Sequence, residues 1–129
     1  LNILAVASTD QGTMHSFIVE HLDPELEDWQ GLEYNCIYTE CDAVGSKFLL
    51  SGLKPTFEEA AKDILKVPAS SKTSQSVEHL YATPEQRQRV CLLDPKGEKD
   101  LSPEDGEQFD AFLFGGILGK IRSIGSLCV

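Results

Sequence analysis

Near the end of the chain, Phe114–Gly119 (FGGILG) joins an apolar approach to closely spaced glycines. A strand running into Gly115-Gly116 would turn tightly at the carboxyl edge of a sheet. Glycine there permits positive φ and lets main chain lie close to a ligand, and open α/β folds place their ligand crevice outside those edges. A plain turn is the other reading. Glu20 and His21 close an earlier apolar run, and Glu33 follows on a helix-like stretch. Acids near a strand's carboxyl end could face the same crevice as Gly115-Gly116, whereas solvated loop and helix charges are the alternative. His15 and His79 are isolated. Cys36, Cys41, Cys91 and Cys128 include no Cys-x-x-Cys pair, so their spacing does not point to zinc, and they read as buried reduced thiols of a cytoplasmic protein. The dinucleotide, P-loop and serine-hydrolase glycine motifs do not occur.

The elements that must position these residues alternate in type. Ser16–Glu20 (SFIVE) reads as a buried strand. Asp23-Pro24 then opens a helix, with Asp as cap and Pro at its first position, and Leu26, Trp29, Leu32, Cys36 and Ile37 form its apolar face. After Gly45, Lys47–Leu53 is a second strand, and Thr56 caps a helix over Phe57–Lys66. Pro68–Ser76 reads as a mobile loop, Val77–Tyr81 as a weak strand and Pro84–Arg89 as a helical turn. Val90–Leu93 (VCLL) has the continuous apolarity of a strand covered on both faces. A helix start at Ser102-Pro103 precedes the last strand, Ala111–Phe114. The alternation argues for a parallel α/β sheet flanked by helices.

With 129 residues the chain suits one domain, burying roughly two-thirds of its unfolded surface. No apolar run approaches the ~20 residues of a bilayer span, so no membrane partner is expected. The formal net charge is -10, with 21 acidic against 11 basic residues. A polyanion usually demands a basic face, so a basic protein is the preferred partner and RNA the weaker one. The sequence leaves the oligomeric state open.

Three stretches carry a family resemblance: Phe17–Tyr34 (FIVEHLDPELEDWQGLEY), Val90–Asp105 (VCLLDPKGEKDLSPED) and Phe109–Gly119 (FDAFLFGGILG). They resemble the SPOUT methyltransferases once catalogued as predicted RNA methyltransferases, whose characterised member methylates an arginine of a small-subunit ribosomal protein. The resemblance implies an α/β fold of trefoil-knot type. It implies S-adenosylmethionine as cofactor, held by main chain at Gly115, Gly116, Ile117, Leu118 and Gly119. Glu20 and Glu33 are then the candidate catalytic carboxylates, pairing with the substrate guanidinium and taking its proton. A basic ribosomal protein is the implied substrate; an RNA methyltransferase of the same fold, or a non-catalytic fragment, are the alternatives.

In that family the Gly-Gly-Ile-Leu-Gly stretch is followed by an acidic residue, a proline pair and an Arg-Asp-Arg-Thr stretch, whereas Lys120 stands here. The expectation is therefore a truncated, inactive form lacking the knot elements. Residues 1–13 would be a non-native extension before Met14, residues 14–119 the front part of the methyltransferase domain, and residues 120–129 an aberrant tail. A Gly-Lys pair encoded as GGTAAG reads as a splice donor, so intron read-through would account for that tail.

Overall fold

The computed structural model describes residues 15–93, 102 and 104–115. Four apolar runs form its strands: β1 Ser16–Glu20, β2 Lys47–Ser51, β3 Val90–Leu92 and β4 Ala111–Gly115. They pair in the order β2-β1-β4-β3, and every pairing is parallel. The alternation read from the sequence becomes, as expected, a parallel α/β sheet.

Strand side chains alternate between faces, which divides the core in two. Phe17, Val19, Phe48, Leu50, Cys91 and Phe112 form the larger core on one side. Ile18, Val90, Leu92, Ala111 and Leu113 pack on the other. Helix α1 (Asp28–Ala43) covers the first face with Tyr34 and Cys41, beside helix α2 (Glu58–Ile64). The second face is capped by Val77 of the one-turn helix α3 (Val77–Leu80) and by Tyr81. Short helices α4 (Pro84–Arg87) and α5 (Asp105–Gln108) precede β3 and β4. Both faces being covered explains why Val90–Leu92 shows no polar alternation.

Helix α1 departs from its expected form. It begins at Asp28 after Glu27, and Asp23-Pro24 lies outside it. The Asp23 carboxylate accepts from Gln30 Nε2, and the Gln30 Oε1 accepts from the Glu27 N–H at 2.8 Å. Gln30, two percent exposed, thus closes the helix start from within the fold. The expected apolar stripe is also displaced. Leu32 is 64% and Trp29 37% exposed, and Cys36 is exposed as well, while Gln30, Gly31, Tyr34 and Cys41 face inward. Close approach selects this face: a Cβ on Gly31 would stand 1.7 Å from Ile64 Cγ2. The helix ends at Ala43 and is capped by Val44, with Gly45 at φ +73° supplying the left-handed residue that follows.

Residues 68–76 are not the expected mobile loop. After a 3-10 turn, Ala69–Ser71, Lys72 bridges Leu50 in parallel. The Thr73 N–H donates to the Leu50 carbonyl at 2.9 Å, Leu53 N–H to Thr73 at 3.0 Å, and Gly52 N–H to Gln75 at 2.9 Å. An outer strand would otherwise leave its main-chain groups unpaired, which favours this pairing. Val77–Leu80 is helical rather than extended: the Val77 N–H donates to the Glu20 carboxylate, and the Tyr81 N–H closes the turn on the Val77 carbonyl at 2.9 Å. The helix expected over Phe57–Lys66 is shorter, preceded by a 3-10 turn at Pro55–Phe57. Cys91 is disulfide-bonded, not a reduced thiol, and Cys36 and Cys41 are the free thiols among the described residues.

Candidate active site

Parallel pairing brings the carboxyl ends of the strands to one edge. The β1 register sets Glu20 opposite Ser51 on one side and Gly115 on the other. Two of the positions picked from the sequence, Glu20 and Gly115, are therefore direct neighbours across the central seam. The chain leaving β1 goes on to β2, away from β4, and open sheets form their ligand crevices outside the carboxyl ends of the strands.

Glu20 is 9% exposed. Its Oε1 accepts from the Val77 N–H at 2.7 Å, answering a donor that helix α3 cannot satisfy itself. Its other oxygen takes no hydrogen bond, and no buried side-chain oxygen among the described residues lacks a partner. The second oxygen therefore keeps contact with solvent. The carboxylate is fixed by one oxygen and available through the other.

Beside it, the His21 N–H donates to the Ser51 carbonyl at 2.9 Å. The ring is more tightly held. Its Nε2 lies 2.8 Å from the Glu25 carbonyl, which can only accept, so Nε2 carries the proton. Nδ1 then accepts from the Tyr34 hydroxyl at 2.8 Å. Tyr34 and Phe57 meet the imidazole edge-to-face, with centroids at 5.8 and 5.4 Å. Burial lowers the His21 pKa and outweighs the Glu25 hydrogen bond and the Asp23 charge, which act upward; Lys54 adds to the lowering. Burial likewise raises the Tyr34 pKa. The pair is neutral and structural.

Gly52 lets β2 leave against this pair. Its φ is +71°, and a Cβ there would meet the His21 carbonyl at 3.0 Å and Glu20 Cγ at 3.3 Å. Neither Gly52 nor the His21–Tyr34 pair stood out in the sequence. A glycine inside the stretch read as the second strand, which in fact stops at Ser51, was the available signal for the first, while the second depends on a helix face that the apolar pattern misplaces.

Glu33 stands apart. It is exposed on α1, and no hydrogen bond or ion pair among the described residues joins it to Glu20. Gly115 ends β4, and Gly116, Ile117, Leu118 and Gly119 lie outside the described residues, as do residues 1–13 and 120–129.

A parallel four-stranded sheet in this order, flanked by helices, is the fold of the SPOUT-class methyltransferases. Within that class the chain belongs to the SFM1-like protein arginine N-methyltransferase family, whose model matches residues 16–124. It is 36% identical over 109 residues to protein arginine N-methyltransferase SFM1 of Saccharomyces cerevisiae, covering 80% of this chain and 50% of that protein. The crystal structure of the yeast arginine methyltransferase SFM1 complexed with SAM superposes with a TM-score of 0.61 at 32% identity, covering 92% of this chain and 55% of that one. The crystal structure of dual-specific Trm10 from Thermococcus kodakaraensis shares the fold, with a TM-score of 0.59 at 24% identity over 81% of this chain and 44% of that one. The chain thus spans about half the length of these relatives.

Proposed function

We propose that the protein to which these residues belong transfers a methyl group from S-adenosylmethionine to an arginine side chain of a basic small-subunit ribosomal protein, in the cytoplasm. Membership of the SFM1-like family carries the reading. The yeast relative has been solved with SAM, SAH and MTA, which supports the same donor here. The donor supplies an electrophilic methyl on sulfonium. Gly115–Gly119 is assigned to hold it by main chain. The described part of this wall fits such a ligand, because β4 ends in a residue without a side chain, next to a carboxylate.

Arginine is protonated at neutral pH, so its nitrogen must shed a proton as the new N–CH₃ bond forms and the S–CH₃ bond breaks. Glu20 is assigned to orient the guanidinium through its solvent-reaching oxygen and to receive that proton. Its other oxygen, anchored to Val77, prevents the carboxylate from swinging away, and such positioning should dominate an in-line transfer. Glu33, reached from solvent, is the second candidate for the role. The acidic balance of the chain favours encounter with a basic partner.

Radiolabelled methyl transfer by the whole protein to total ribosomal protein and to ribosomal RNA tests the proposal. Label on an arginine of one small-subunit protein is the expected result. Label in ribosomal RNA would overturn the protein-arginine reading, and no label in either would overturn the enzyme reading.

A further inference from the structure

A cleft of about 360 Å³ lies beside the carboxyl edge, between the segment leaving β2, helix α2 and residues 69–74. Three of the chain's 11 basic residues, Lys54, Lys62 and Lys72, line it, although they come from separate segments. Among the described residues, no aspartate or glutamate lines it. In a chain of net charge -10, that separation creates a local field opposite to the whole.

The lysines are not spent on internal pairing. Lys54 and Lys72 form no ion pair among the described residues. Lys62 pairs with Glu59 at 3.1 Å, but the two side chains are 69% and 91% exposed, and a surface pair of this kind is readily exchanged for another anion. Lys54 is close enough to act on the charge of the His21 imidazole. The rest of the lining is mixed. Thr73 brings a hydroxyl, while Leu53 and Pro55 bring apolar surface. The volume falls at the lower end of the roughly 300–1,000 Å³ range of small-ligand sites. A concave site of that size suits a compact molecule better than an extended strand.

We propose that this cleft binds a small phosphate monoester, its doubly charged head held by the lysines and its apolar body lying along Leu53 and Pro55. A monoester near neutral pH carries close to two negative charges, against one for a phosphodiester of a nucleic-acid backbone. Two unpaired ammonium groups and a third that can leave its partner match the former. Lysine acts here as a point charge, selecting for charge rather than for a fixed planar geometry.

Calorimetric titration of the chain with phenyl phosphate, with phenol as the uncharged counterpart, tests this independently of methyl transfer. Saturable binding of phenyl phosphate, weakened by salt, is expected, with phenol far weaker. The Lys54→Gln, Lys72→Gln double variant should lose at least about tenfold in affinity. Lys66→Gln, exposed and outside the cleft, should stay within about twofold. Circular-dichroism melts confirm folding; should the double variant not fold, the single Lys72→Gln and the charge-preserving Lys72→Arg give the same comparison. Equal binding of phenol, equal weakening by Lys66→Gln, or lysine-dependent capture of a single-stranded oligonucleotide with no binding of phenyl phosphate would each overturn the proposal.

Discussion

The Tyr34 hydroxyl is the donor that lets His21 remain neutral inside the fold, and it shows how single groups shape the edge of the sheet. Tyr34→Phe keeps the ring packing but leaves Nδ1 without a donor, so chemical denaturation should show a loss of about 1–3 kcal/mol. Acid acts on the same pair. Burial holds the folded His21 pKa below 6.5, so the unfolded chain binds the proton more readily. The contribution is fully present above pH 6.5 and is lost as pH falls from there toward the folded value. Urea melts across that window should show falling stability, with a flatter slope in His21→Gln. Cys41 is buried and its thiol is pushed up to about 12 by burial, with Glu40 adding to the shift. Brief iodoacetamide treatment of the folded protein should therefore label exposed Cys36 and spare Cys41, as mass spectrometry would record. Glu20→Gln keeps an oxygen for the Val77 N–H but removes the charge. In the whole protein, methyl transfer should fall about 10²-fold or more while the melting temperature changes little.

At the level of elements, the crossing of α1 over α2 depends on Gly31. Gly31→Ala drives a Cβ into Ile64 Cγ2 and should cost about 1–3 kcal/mol in a denaturation experiment. Because Ile64→Ala removes the obstructing carbon, the double variant should lose less than the sum of the single ones. That same crossing explains what the sequence disclosed and what it hid. The four strands were readable because Phe17–Val19, Phe48–Leu50, Val90–Leu92 and Ala111–Phe114 are apolar enough to state their own burial. The inward face of α1 was not, since glutamine, glycine and tyrosine occupy it while tryptophan and leucine point out. Hydrophobic periodicity cannot report a face chosen by close approach and hydrogen bonding. Nor does composition disclose pairing: the Ser- and Lys-rich stretch around Lys72 reads as a loop, yet its main chain completes β2. Glu20 and Gly115 could each be noticed in the sequence, but their adjacency required the strand order.

For the molecule as a whole, the order β2-β1-β4-β3 makes β1 and β4 the strands with neighbours on both sides. Hydrogen exchange should be slowest at Phe17–Val19 and Phe112–Leu113 and faster at the short helices α3 and α4; earlier exchange in β1 than in α4 would contradict this hierarchy. The fringe made by Lys72, Thr73 and Gln75 has a bearing on assembly. It occupies the hydrogen-bonding groups of Leu50, Gly52 and Leu53 that would otherwise template an incoming peptide. Recruitment of a further strand is thereby opposed at the carboxyl end of β2, whereas among the described residues β3 has no such cover. Within the described residues the two margins of the sheet are thus unlike: the end of β2 is closed by main chain that is not itself a strand, and that of β3 is not so closed.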